Sequence, residues 1–333
     1  MYDTNHLGHH LRSASVGRDE TLYAEMLDGR TLSYGEMFSA AEKNAAALQK
    51  VGLSPGDCVA AQLEKSIESI QLYLGTILAG GVFLPLNTAY TPSELEYFLA
   101  DAKPFIFVCD PETAPTLEGL AAQAGVSKVL TLSSDGTGTL MEALPTHTEN
   151  FKEVARAKDD LAAFLYTSGT TGRSKGAMLT HDNLVSNAQA LQQCWHFDRH
   201  DVLIHALPIF HIHGLFVATN VTLCAGASML FMPRFNSETI LSLMSKATVL
   251  MGVPTFYVRL LESPNLSPKT VAPMRLFISG SAPLLAETHK QWSAVTGAEI
   301  LERYGMTETN MNTSNPYEGE RRAGTVGMPL PGV

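Results

Sequence analysis

The chain has 333 residues, 45% of them hydrophobic, enough to fill the cores of two packed subdomains. Its 33 acidic and 23 basic side chains leave a formal charge of −10, which argues against nucleic acid, whose phosphates need a basic face. An anionic substrate gains nothing from such a field and must be met by local cations. No apolar run reaches the roughly eighteen residues of a membrane span. Cys58, Cys109, Cys194 and Cys224 are widely spaced and form no C-x-x-C pair, so they read as reduced, buried thiols. That points to the cytoplasm, with an organelle matrix left open: residues 1–18 lack the apolar stretch of a secretory signal but carry Arg12, Arg18 and three histidines. His6, His9 and His10 are expected in a frayed polar terminus rather than a metal site.

In chain order, residues 22–26 and 31–33 read as a hairpin around Asp28-Gly29. Ser33 with Glu36 reads as the start of a helix running through Leu48 and ending before Gly52. A strand at 58–63, an amphipathic helix at 65–78 and a strand at 82–85 follow. Thr91-Pro92-Ser93-Glu94 is a capping box with proline in the first turn, opening a helix to Ala102. Residues 105–109 form an apolar strand, and the polar stretch 110–158 is expected to be a subdomain seam. The second half repeats the rhythm, with strands at 161–166, 202–207, 228–232, 248–251, 275–279 and 299–301. Helices are expected at 181–195, 214–224, 237–246, 255–262 and 285–297. This alternation predicts an α/β fold of right-handed βαβ units on largely parallel sheets. The expected division is an extension over 1–20, a first α/β subdomain over 20–158 and a second over 159–333.

The most informative stretch is residues 166–176, YTSGTTGRSKG, after the apolar run 161–165. Gly169, Gly172 and Gly176 permit sharp turns that expose N–H groups, and hydroxyls from Thr167 to Thr171 and the Lys175 ammonium complete a phosphate-holding surface. It is not a Walker A loop, because Lys175 is followed by Gly176 and no hydroxyl residue.

Four further stretches carry candidate chemistry. His211 and His213 in LPIFHIHG stand at i, i+2, but no Asp, Glu or Cys nearby completes a zinc set. Taken alone they read as loop histidines, or for His213 as a core imidazole. Pro254 places Thr255 and Arg259 on one helix face. Arg259 either pairs with Glu262 at the surface or grips a carboxylate at a pocket wall, and spacing does not choose. Ser279-Gly280-Ser281-Ala282-Pro283 let a flat group approach the backbone. Residues 302–309, ERYGMTET, combine an aromatic face, a backbone turn, hydroxyls and carboxylates.

In this order, the stretches resemble the AMP-forming adenylate ligases: acyl-CoA synthetases, peptide-synthetase adenylation domains and luciferases. The resemblance covers most of residues 20–333 and implies two stacked βαβ-type subdomains of the large N-terminal domain of adenylate-forming enzymes. It implies joining of a carboxylate to AMP from ATP, release of pyrophosphate and transfer to coenzyme A. Thr167, Ser168, Gly169, Thr170, Thr171, Gly172 and Lys175 would then hold ATP phosphates. Ser281, Ala282, Pro283, Glu302, Arg303, Tyr304, Gly305 and Met306 would frame adenine, Thr307 would meet the α-phosphate, and Glu308 with Thr167 would bind Mg²⁺. Thr167, Lys175, His211 and Glu308 would serve the reaction, and His211, His213, Arg259, Ser279 and Met306 the carboxylate.

Residues 207–214, 252–259 and 302–313 are similar to the malonyl-CoA synthetase branch. That likeness implies malonate or methylmalonate, its distal carboxylate on Arg259, with Arg303 a second cation or a structural residue. Another carboxylate, or a nucleotide-binding protein without catalysis, are the alternatives. In relatives, a segment like Pro329–Val333 leads into a further subdomain and a small mobile C-terminal domain that brings an adenylating lysine. The expectation is therefore that this chain alone binds ATP and perhaps malonate, with weak or absent ligase turnover.

Overall fold

The computed structural model describes residues 2–148, 151–167 and 174–333. The chain divides into two compact units. The first comprises Met1–Asp19, Tyr34–Val185 and Ile209–His211; the second comprises Glu20–Ser33, Ser186–Pro208 and Ile212–Val333. The boundary expected at residue 158 thus falls inside the first unit.

A hairpin, β1 (Leu22–Met26) and β2 (Thr31–Ser33), comes first in the chain. Strands β3 (Cys58–Gln62), β4 (Val82–Pro85), β5 (Ile106–Cys109), β6 (Lys128–Thr131), β7 (Leu161–Thr167) and β8 (Lys175–Thr180) then build the sheet of the first unit, in the order β6-β5-β3-β4-β7-β8. All neighbours are parallel except β7 and β8. Strands β4 and β5 are continuous apolar runs, and β3 is apolar up to Gln62, because helices cover them. The helix Ile67–Leu78, read from the sequence as amphipathic, is instead buried along its whole length, with Glu68, Ser69, Gln71 and Thr76 among its buried residues.

The stretch 110–158 is more ordered than a seam. It holds the helix Ala114–Gln123, strand β6 and a short helix Thr139–Glu142, which extend the parallel sheet. Ala114, Leu117 and Ala121 deliver the buried face of that first helix, with Leu120 half-buried beside them, and the small residues among them blur the period.

The N-terminus is not frayed. Asn5 caps the helix His6–Ser13 by accepting from Gly8 N–H, and its amide donates to the Ile77 and Val154 carbonyls. Leu7 and Leu11 are fully buried. The Leu7 N–H donates to Nδ1 of His181 at 3.1 Å, which requires that nitrogen to be unprotonated.

Burial holds the His181 pKa at about 4, below the ordinary 6.5, with Arg156 pushing the same way and Asp160 against it. Between pH 6.5 and 4 the unfolded chain therefore binds more protons, so stability falls as pH drops through that window. At pH 5 the penalty is about 2 kcal/mol. Amide exchange at Leu7–Leu11, corrected for intrinsic rates, is expected to accelerate between pH 7 and 5; protection constant over that range would refute the link.

The second unit is built on β9 (Val202–His205), β10 (Ser228–Phe231), β11 (Val249–Gly252), β12 (Leu276–Ser279), β13 (Ile300–Met306), β14 (Asn310–Ser314) and β15 (Met328–Pro329). Its sheet runs β15-β14-β13-β12-β11-β9-β10-β1-β2, parallel from β13 to β1. At the N-terminal edge, Asp201, Thr248 and Arg275 stand just before β9, β11 and β12. Asp201 accepts from the Arg275 guanidinium at 2.7 and 2.5 Å and from the Thr248 hydroxyl at 2.7 Å, tying three neighbouring strand starts together.

Among the described residues no helix is long and apolar enough to cross a membrane. The four cysteines are free; Cys109 and Cys224 are buried as expected, and Cys58 and Cys194 are half-buried.

Candidate functional site

In an open parallel sheet, ligands bind beyond the carboxyl ends of the strands, where the connections change direction. In the second unit that point is β9: the chain leaves it for β10 on one side and returns to β11 on the other. The carboxyl ends of β9, β11, β12 and β13 and the segments that follow them carry the four stretches singled out above.

In the first unit, the strands around the 166–176 stretch are firmly held. Thr167 ends β7 and Lys175 begins β8, directly opposite each other, with the Thr167 hydroxyl 3.4 Å from the Lys175 carbonyl. Ser168, Gly169, Thr170, Thr171 and Gly172 lie outside the described residues. The Tyr166 ring packs 4.3 Å from Phe98 and 5.2 Å from Phe164, and its hydroxyl donates to Asp101 at 2.6 Å. Tyr97 donates to the Ser174 carbonyl at 2.8 Å. Gly176 is glycine because Phe164 lies across it: a Cβ there would stand 2.0 Å from Cζ of that ring. Strand β8 was not expected; it is short, with Gly176 and an exposed Met178 that break any alternation. Lys175 is exposed.

The segment after β9 divides between the units. His211 belongs to the first and is exposed, its ring 4.5 Å from that of Phe210. His213 belongs to the second and opens a π-helical turn, His213–Thr219, which continues as the α-helix Asn220–Ala225. A single α-helix over 214–224 was expected; the π register depends on contacts from outside the segment. His213 is buried, with Nδ1 3.3 Å from the Ser281 hydroxyl, so the loops after β9 and β12 meet. Ser281 holds φ +70, a left-handed conformation unusual for serine and of the kind found at ligand sites.

Ser279 ends β12, buried, with no hydrogen-bond partner for its hydroxyl. Ala282 and Pro283 are exposed. Arg259 lies in the helix Pro254–Leu261, exposed together with Thr255. Its guanidinium sits over the Phe235 ring, 5.7 Å from the centre, and not on Glu262.

Residues Glu302, Arg303, Tyr304, Gly305 and Met306 are strand rather than turn. Strand β13 runs on to Met306 and pairs antiparallel with β14, and the turn falls at residues 307–309. Gly305 is needed for that pairing, since a Cβ would lie 2.1 Å from the Asn310 carbonyl. Glu302 is buried and accepts from Leu284 N–H at 3.1 Å; burial raises its pKa. Tyr304 and Met306 are 46% and 42% exposed, leaving a flat apolar face open. Thr307 is half-buried and Glu308 exposed.

Arg303 is the anomaly. It is only 2% exposed, and among the described residues none of its three guanidinium nitrogens has a hydrogen-bond partner. Burial lowers its pKa to about 9. The guanidinium presses under Gly280, where a Cβ would approach it within 2.5 Å. A lone buried cation is costly unless something anionic meets it.

Magnesium suits these donors. It takes oxygen ligands and needs one or two carboxylates when phosphates supply the rest, and Glu308 offers such a carboxylate. Among the described residues no group of three or more His, Cys, Asp or Glu side chains is arranged to hold a metal unaided.

The chain is similar to known proteins along nearly all its length. A malonate–CoA ligase of Arabidopsis thaliana is 32% identical over 342 residues, covering 92% of this chain and 56% of the relative. The mitochondrial malonate–CoA ligase ACSF3 of Mus musculus is 36% identical over 272 residues, covering 77% and 46%. The crystal structure of ATP-bound MatB from Rhodopseudomonas palustris superposes with a TM-score of 0.96 at 57% identity, covering 99% of this chain and 65% of that one. The chain thus spans about half the length of these curated relatives and about two thirds of MatB. The two parallel-rich sheets are those of the large N-terminal domain of adenylate-forming enzymes. The family model for AMP-binding enzymes matches residues 12–333, and the chain belongs to that family.

Proposed function

We propose that this chain binds ATP and malonate as part of a malonate–CoA ligase. A malonate carboxylate attacks the α-phosphorus of ATP, forming malonyl-AMP and releasing pyrophosphate. The thiol of coenzyme A then takes the malonyl group as a thioester and AMP leaves. Attack of one anion on another needs charge neutralisation and in-line positioning more than acid–base chemistry.

The residues divide that work. Thr167, Ser168, Gly169, Thr170, Thr171, Gly172 and Lys175 meet the phosphates. Tyr304 stacks against adenine, with Ser281, Ala282, Pro283, Glu302, Gly305 and Met306 around it, and Thr307 meets the α-phosphate. Magnesium, when bound, neutralises phosphate charge; Glu308 and the Thr167 hydroxyl would hold it. His211 attends the reacting carboxylate, and His213, Ser279 and Met306 line the acyl side.

The observation that carries the substrate assignment is the buried, acceptor-free Arg303 guanidinium in an acidic chain. A monocarboxylate uses its one charge in the reaction; a dicarboxylate brings a second for such a cation. Arg259, held over Phe235, is the cation that receives that carboxylate on entry. The printed names of the plant and mouse relatives support the same substrate. The proposed setting is the cytoplasm or, by analogy with the mouse enzyme, an organelle matrix.

The test is malonate-dependent pyrophosphate release from ATP and Mg²⁺, with acetate and succinate alongside. It is run on this chain and on a fusion to the C-terminal third of MatB. Arg259→Ala is expected to cost at least about tenfold in kcat/KM for malonate, the worth of one charge-assisted contact, with acetate unchanged. Equal effects on both acids would remove Arg259 from substrate recognition, and activity with acetate alone would overturn the substrate assignment.

A further inference from the structure

The π-helical turn has a built-in lock that none of the motifs contains. His205, the last residue of β9, is buried, and its Nε2 stands 2.9 Å from the Gly214 carbonyl. A carbonyl only accepts, so this nitrogen carries the proton. The Thr219 hydroxyl donates to the same carbonyl at 3.1 Å. From the other side, the Gly214 α-carbon presses on Pro208, where a Cβ would sit 2.0 Å from the carbonyl oxygen. Gly214 is therefore held between a sheet residue, its own turn and the preceding loop. The residue immediately before it is His213, whose Nδ1 reaches Ser281 at 3.3 Å.

A π turn changes the angular position of the residues it contains relative to an α turn, and such turns recur at functional sites. The geometry points to His205 as a positioning residue: by donating to the Gly214 carbonyl it holds the π register that sets His213 against Ser281 on the acyl side of the site. It is not among the residues proposed to meet the substrate or ATP. The inference rests on the reading of His213 as an acyl-side residue; Ser281 is carried by the loop after β12 and not by the π turn, so the predicted defect falls on the carboxylate.

Three variants of the MatB fusion test it: His205→Leu removes the donor, His205→Gln restores an N–H at similar reach, and Thr219→Val removes the second donor at constant volume. His205→Leu is expected to raise the malonate KM at least tenfold while the ATP KM changes less than twofold, and to speed amide exchange over residues 214–219. His205→Gln should recover most of both effects, and Thr219→Val should shift the malonate KM the same way by less. An unchanged malonate KM in His205→Leu, or equal rises for both substrates with no recovery in His205→Gln, overturns the role. If His205→Leu does not fold, Thr219→Val decides: no shift in malonate KM overturns it. Amide exchange needs no substrate, so wild-type protein that ignores malonate refutes the substrate assignment while the lock is still judged by exchange.

Discussion

Arg303→Met is expected to raise the melting temperature of the unliganded protein and to lower malonate-dependent pyrophosphate release at least about a hundredfold. Both effects have one cause. The guanidinium is buried, without an acceptor among the described residues for any of its nitrogens, in the room that the missing Cβ of Gly280 leaves. An uncompensated buried charge costs several kcal/mol, and a methionine of similar reach removes that cost, for a gain of about 2 kcal/mol. If malonate binds as proposed, the same substitution would also remove two charge-assisted hydrogen bonds to its distal carboxylate, each worth about 1.5–3 kcal/mol.

pH supplies an independent check. The folded-state pKa of Arg303 is about 9 against an ordinary 12.5, so above pH 9 the unfolded chain binds more protons and this term increasingly favours the folded state. Malonate binding runs the other way, weakening as the guanidinium loses its proton. Calorimetry of the free and malonate-bound protein from pH 8 to 10 reads both slopes. A variant that melts earlier and still uses malonate would make Arg303 a packing element and remove it from the site.

The second large effect lies at the opposite edge of the same sheet. Asp201→Ala should cost about 3–5 kcal/mol, because it leaves Arg275 partly buried without its carboxylate. It also frees the Thr248 hydroxyl, and three adjacent strands lose their common anchor. Arg275→Lys should cost less but still measurably, since an ammonium keeps the charge and loses the two-pronged geometry. Trp195, whose carbonyl accepts from Arg275 at 3.1 Å, provides a nearby fluorescent reporter for urea unfolding. A loss below about 1 kcal/mol would mean that the pair behaves like an exposed one.

Both predictions concern features that local sequence does not display. The alternation of short apolar runs with amphipathic segments makes the βαβ rhythm legible, and Thr91 with Glu94 marks a helix start that the structure bears out as a full capping box. Glycine-rich stretches after strands are legible because the backbone demands them. What escaped depends on partners far along the chain. Asp201 and Arg275 are 74 residues apart, and Ser281 and His213 are 68 apart. The π register at His213 depends on a donor in the preceding strand. The N-terminal helix was hidden by its histidines, although Asn5 followed by Leu7 and Leu11 is the pattern of a capped helix with one apolar stripe.

The placement of the hairpin β1–β2 bears on how the protein is made. The hairpin emerges early in synthesis, yet β1 pairs in parallel with β10, Ala24 against Met229, a separation of 205 residues (229 − 24). At elongation rates of about 5–20 residues per second it waits roughly 10–40 s for its partner. The chain on either side of it, up to Asp19 and from Tyr34, belongs to the other unit. That unit can assemble while one edge of the hairpin is still unpaired. Until β10 leaves the ribosome, this edge is open to a chaperone or to a neighbouring nascent chain.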